Sequence, residues 1–233
     1  VGIYLKTKKF EKNLGKMLSG MLNNMESRGP DSAGFAIYKN EGSKIYKFSL
    51  CINDLNFNVF KKNISKKIKK IKLNQVSDHV ILKTKEKPKK VIEIINSNFP
   101  EVSIVGYGKS IEIFKQVGNP KDVVKKFKLG EFSGTHGIGH TRMATESAIT
   151  TDGSHPYSTG EDECLVHNGS LSNHNNLRRE LTKKGNVFNS ENDTEVAAGY
   201  VSQSLSNKKS LKDTLTSGLK DLDGFYTFIT GTR

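Results

Sequence analysis

The chain has 233 residues, enough to bury one sizeable core, and its 34% hydrophobic content includes no apolar run long enough to span a bilayer. Its two cysteines, Cys51 and Cys164, exclude a disulfide framework and suit a cytoplasmic location. A net charge of +13 raises the question of an anionic partner, and the placement of the lysines answers it.

From the first residue, Val1 to Leu5 reads as a short apolar strand. Phe10, Leu14, Met17, Leu18, Met21, Leu22 and Met25 then recur at spacings of three and four. That period predicts an amphipathic helix with its methionines in the core. The helix runs into Arg28-Gly29-Pro30, where proline disfavours helix at the residue before it. Gly34 to Tyr38 is the next expected strand.

Residues from about 40 to 130 read as a small α/β insertion. Strands are expected at Ile45–Leu50, His79–Lys83 and Val102–Tyr107, with helices near Asn58–Ile71 and Val91–Ile95. Lys61, Lys62, Lys66, Lys67, Lys69, Lys70 and Lys72 concentrate charge here. Ile64, Ile68 and Ile71 fall among them at helical spacing, so a solvated helix face accounts for the run. No aromatic stacking platform is interleaved, which argues against nucleic acid.

Strands follow at Gly137–Arg142 and Cys164–His167, the second ending at Asn168-Gly169. Between them lies a loop rich in Thr, Ser, Gly and Pro. A helix near Asn175–Lys184 stops at Gly185, a good C-terminal cap. Asn192 with Glu195 reads as a capping box, and Ser210 with Asp213 opens another helix carrying Leu211, Leu215, Leu219 and Leu222. An Asp223-Gly224 turn leads into a strand, Phe225–Thr230. Strand runs plus helices, without a βαβ rhythm, suit two packed sheets flanked by helices.

Four segments concentrate chemistry: Arg28-Gly29-Pro30-Asp31-Ser32-Ala33-Gly34, His140-Thr141-Arg142-Met143-Ala144-Thr145, Val166-His167-Asn168-Gly169-Ser170 and Asn192-Asp193-Thr194-Glu195. They supply groups that hold an amino acid. The planar fork of Arg142 matches an α-carboxylate, where the plain reading is a surface ion pair. Asp193 matches an α-ammonium, where the plain reading is an ordinary acid at a helix N-terminus. Asn168-Gly169 alone is a common turn. His140, His155 and His167 match no zinc spacing, so structural hydrogen bonding is the better account and no metal is expected.

In this order the segments resemble the class II glutamine amidotransferases, which are N-terminal-nucleophile hydrolases. They look most like the amidotransferase-like subunit of N-methylglutamate synthase, related to the glutamine domain of glutamate synthase. The resemblance implies a four-layer αββα sandwich with the small insertion. It implies catalytic roles for Asn168 and Gly169 as oxyanion donors, and substrate binding by Arg142, Asp193, Thr145 and Arg28. Asp31 is expected in the loop scaffold.

The implied reaction releases or exchanges an amine from glutamine or glutamate and passes it to a synthase partner, one such partner carrying flavin. The subunit itself needs no cofactor, and neither nucleic acid nor membrane is an expected partner. Met143 stands where many members carry an aromatic residue, and Glu146-Ser147 replaces the usual His-Gly. Both departures are shared with the N-methylglutamate synthase group.

The family's nucleophile is an N-terminal cysteine whose α-amine is its base. Val1-Gly2 matches the fourth and fifth residues of a Cys-Gly-Ile-Val-Gly start, so the chain reads as lacking three residues at this end and cut at the other. The alternative puts Val1 in place of the cysteine and makes the protein a non-catalytic amino-acid-binding regulatory subunit. Cys164 lies in an apolar strand, where a buried, inert thiol is expected.

Overall fold

The second strand, β2 (Ser32–Tyr38), is buried along its whole length in the computed structural model, which describes residues 1–39, 44–144 and 148–233. Side chains alternate between the faces of a strand, so both faces of β2 must be covered. Ala33, Phe35 and Ile37 meet Leu14, Leu18 and Leu22 of α1 (Leu14–Asn23) and Val123 and Val124 of α4 (Pro120–Lys126). Ala36 and Tyr38 share a second cluster with Cys164 and Val166 of β9 (Glu163–Leu171).

Around β2 the first sheet has the order β1 (Gly2–Tyr4), β8 (His136–Arg142), β2, β7 (Ile111–Val117), antiparallel throughout. In the second sheet, β9 pairs antiparallel with β10 (Gly224–Thr232). Leu165 and Leu171 of β9 pack against Ala197, Ala198 and Val201 of α6 (Asp193–Ser206), with Leu222 after α7 (Leu211–Asp221). The layers therefore run helix, sheet, sheet, helix, the expected αββα arrangement.

A third sheet joins β3 (Tyr46–Cys51), β4 (Lys72–Val76), β5 (His79–Thr84) and β6 (Ser103–Gly108) in the order β4-β5-β3-β6. With α2 (Phe57–Lys67) and α3 (Pro88–Asn98) it forms an antiparallel βαββαβ module of ferredoxin-like topology. Phe60, Ile64, Val91 and Ile95 of the helices cover one sheet face. The other face meets the first sheet, where the Ser49 hydroxyl accepts the Ile113 N–H at 2.8 Å and Lys47 Nζ lies 3.1 Å from Glu112. The outward helix faces carry the exposed lysines, including Lys61, Lys62, Lys66, Lys89 and Lys90.

The module spans 46–108, less than the insertion expected at about 40–130. Both β7 and α4 belong to the main body, and neither they nor β4 had been expected. Helix α2 ends at Lys67, before Ile71. Met17 is 45% exposed and Phe10 43%, so the first helix is less fully packed than its spacing suggested.

The Asn192–Glu195 pair is not a reciprocal capping box. Asn192 does cap, accepting the Thr194 N–H at 2.9 Å. Glu195 instead accepts the backbone N–H groups of Asn189 and Ser190, both at 2.8 Å, and so braces the loop before the helix. Ser210 caps α7 through the Asp213 N–H, as expected.

Candidate active site

An open cleft of about 980 Å³ lies where β8, β9 and the start of α6 converge. Arg28, Arg142, Asn168, Gly169 and Asp193 all line it. Thr145, Glu146 and Ser147 fall outside the described residues.

β9 is buried from Glu163 to His167 and exposed from Asn168 to Ser170, so it delivers an apolar base and a polar end to the cleft. The Asn168-Gly169 corner is no turn. It stays within β9, with Asn168 opposite Thr227 and Gly169 opposite Tyr226. Gly169 has φ +132°, and a Cβ there would lie 1.9 Å from the Phe225 carbonyl oxygen. Only glycine fits this backbone.

Arg142 ends β8 and is 6% exposed. Its guanidinium donates to the Ala148 carbonyl at 3.3 Å. Asp31 sets the path of the chain beyond it. The Asp31 N–H donates to the Arg142 carbonyl at 3.1 Å, and its carboxylate accepts the Ala144 N–H at 2.8 Å. Arg28 is exposed on a short 3-10 turn at the cleft rim.

Asp193 is the first residue of α6. One carboxylate oxygen accepts the Leu171 N–H at 2.8 Å. The other lies 3.4 Å from Thr194 Oγ1 and 3.5 Å from His167 Nδ1. Burial pushes the Asp193 carboxyl up, but the nearby His167 ring and the Leu171 N–H outweigh it and hold the pKa below its usual value.

The three histidines gather at the cleft. His140 stacks on His155 at 4.1 Å between ring centroids. His155 Nε2 and His167 Nδ1 each lie 3.0 Å from Thr194 Oγ1. Burial lowers His140 to about 4 and His155 well below its usual value, so both rings are neutral at pH 7. The loop carrying His155 is tied down by Lys115, whose ammonium donates to the carbonyls of Asp152 at 3.0 Å and Ser154 at 2.8 Å. Burial lowers Lys115 to about 8.

The sequence reading missed Thr194, which joins His155 and His167, and Lys115. Asn192 as a cap was the available signal, because it fixes residues 193 and 194 in the first turn of α6.

Val1 also lines the cleft, its backbone nitrogen 2.9 Å from the Gly139 carbonyl oxygen. Cys51 and Cys164 are buried and do not line it. Burial pushes their thiols up to about 11 and about 12, which keeps both protonated at pH 7. Among the described residues, Cys51, Asp78 and His79 lie close enough to share a metal ion. Asp78 is already engaged by Lys126 at 3.0 Å and Gln116 at 2.8 Å, so the group has its own polar partners.

The described helices include none long and apolar enough to cross a membrane. The glutamine amidotransferase domain family matches residues 130–229, the stretch that supplies β8, β9, β10 and α6. A likeness of fold joins the chain to glutamine phosphoribosylpyrophosphate amidotransferase from B. subtilis, at a TM-score of 0.58 and 19% identity over 99% of this chain and 34% of that one. A putative glutamine amidotransferase of Methanothermobacter thermautotrophicus is 31% identical over 94% of this chain and 77% of its own length. Glutamine amidotransferase-like protein GlxB of Rhizobium meliloti is 47% identical over 100% of this chain and 78% of its own. Because that match spans the whole chain, main body and module alike, the chain belongs to the glutamine amidotransferase family.

Proposed function

We propose that the cleft binds glutamine or glutamate as a free amino acid and that the intact enzyme is a class II glutaminase serving a synthase. One observation carries the reading: Arg142, Asp193, Asn168 and Gly169 line one cleft. Arg142 takes the α-carboxylate through its bidentate fork and Asp193 the α-ammonium. Arg28 stands at the rim of the same cleft. The Asn168 side-chain amide and the Gly169 N–H donate to the oxyanion that develops as the carbonyl is attacked. Pre-aimed donors of this kind each lower the barrier by about 3 kcal/mol.

The nucleophile is a cysteine thiol joined ahead of Val1, with its own α-amine as base. β1 pairs with β8 so that Gly2 faces Ile138 and Ile3 faces Gly137. Residues added ahead of Val1 in the same register would run beside His140, Thr141 and Arg142, into the cleft. The amine product passes to a synthase partner, with N-methylglutamate or glutamate synthesis as the reaction and flavin in a partner subunit.

A second reading, a non-catalytic amino-acid sensor, draws on the two buried cysteines, neither of which reaches the cleft. The test compares the 233-residue chain with one carrying Cys-Gly-Ile ahead of Val1. Glutamate release from glutamine is expected only from the extended chain, while both bind L-glutamine. Release by the unextended chain would overturn the thiol assignment. Binding without release by the extended chain would favour the sensor.

A further inference from the structure

We propose that Thr194 is a positioning residue whose hydroxyl collects the N–H groups of His155 and His167 and donates its own proton to Asp193, locking the ammonium-binding carboxylate. The part concerning ligand rests on the proposed function; the hydrogen-bond chain does not.

The argument is one of donors and acceptors. A threonine hydroxyl has one proton and two lone pairs. Thr194 Oγ1 has three neighbours: His155 Nε2 and His167 Nδ1, each at 3.0 Å, and Asp193 Oδ1 at 3.4 Å. An ionised carboxylate only accepts, so the hydroxyl proton goes to Asp193. Both imidazoles must then donate. His155 is the Nε2–H tautomer and His167 the Nδ1–H tautomer.

The leftover ring nitrogens agree. Among the described residues, His155 Nδ1 and His167 Nε2 are buried without a hydrogen-bond partner. In this tautomer pair each carries only a lone pair. Were the hydroxyl to donate to either ring, that ring's proton would move to the partnerless nitrogen and strand a buried N–H. The stacking of His140 on His155 holds the first ring of the chain in plane.

The result is a carboxylate bonded through both oxygens, by the Leu171 N–H on one side and the Thr194 hydroxyl on the other. Its rotation is fixed, and its remaining acceptor directions are available to the cleft that it lines.

Nitrogen-15 NMR of the neutral rings reads the tautomers directly. The expected result is Nε2–H for His155 and Nδ1–H for His167, and the opposite tautomer at either ring overturns the proposal. Carbon-13 titration of Asp193 should show its pKa raised in Thr194→Val and restored in Thr194→Ser, which keeps the hydroxyl. L-glutamine affinity, measured by calorimetry, should fall about tenfold in Thr194→Val and return in Thr194→Ser. An unchanged Asp193 titration in folded Thr194→Val overturns the lock. If the unaltered chain binds no L-glutamine, the proposed function fails, while the tautomers and the Asp193 titration still decide this proposal.

Discussion

At the scale of single residues, the proposed function has Arg142 and Asn168 act on one substrate at different moments of the reaction. In that proposal Arg142 holds a carboxylate that is equally charged in ground state and transition state. In the chain extended by Cys-Gly-Ile, Arg142→Lys keeps the charge but loses one of two parallel bonds. The expected loss is about 1.5–3 kcal/mol, read as a ten- to hundredfold rise in KM for glutamine. In the same proposal Asn168 donates to a charge that exists only during the reaction. Asn168→Ala should therefore cut kcat with KM nearly unchanged. Steady-state kinetics separates the two, and a KM effect confined to Asn168→Ala would reverse the assignments. Residue types in a fixed order made these positions legible. The Thr194 bridge was not legible, because His155, His167 and Thr194 stand far apart in the chain and meet only when the loop and α6 pack on β9.

At the scale of elements, apolar periodicity found the strands and helices whose faces are covered on one side. It failed where tertiary context sets the pattern. β7 reads Ile-Glu-Ile-Phe-Lys-Gln-Val, and its lysine at position 115 obscured an edge strand of the first sheet because that ammonium is buried under the loop that it binds. α4 had an Asn119 cap and Pro120 at its first turn, a signal that the assignment of 40–130 to a single insertion left unused.

Close approach of elements also shows at Gly34 on β2. A Cβ there would lie 2.2 Å from the His155 carbonyl oxygen and 2.5 Å from Lys115 Cβ. Gly34→Ala must push the 148–156 loop off the sheet, moving His155 away from Thr194. A loss of about 1–3 kcal/mol in unfolding free energy is expected from such overpacking, with weakened glutamine binding beside it. Urea unfolding and calorimetry check both, and wild-type stability in this variant would show that the loop is less tightly seated.

At the scale of the whole molecule, the two-sheet core was legible because its strands are apolar, and the module stood apart in the sequence because the motifs skip it. Its topology was not, since strand order depends on pairing partners that no local pattern names. Of the lysine run, Lys61, Lys62, Lys66 and Lys67 proved to be the outer face of α2, with Ile64 fully buried on its inner side, while Lys69 and Lys70 follow the helix and Lys72 opens β4.

The module grows out of a single hairpin. Tyr38 at the end of β2 pairs with Ile111 at the start of β7, and the Lys39 N–H donates to the Ser110 carbonyl at 3.0 Å. That junction has a kinetic consequence. With the module unfolded, joining β2 to β7 closes a loop of about 70 residues, at an entropic cost that grows with the logarithm of its length. Once the module is folded, its own first and last strands already bring the two ends together, and the same pairing becomes local. Folding should then be nested, module first and central hairpin second. Phe60→Ala, which empties the module core beside Phe99, weakens the module by about 3–5 kcal/mol without touching β2 or β7. Pulsed hydrogen exchange should show amide protection at Phe35 and Ala36 arriving later in this variant. Protection arriving at the unaltered rate would mean that the long loop closes unaided.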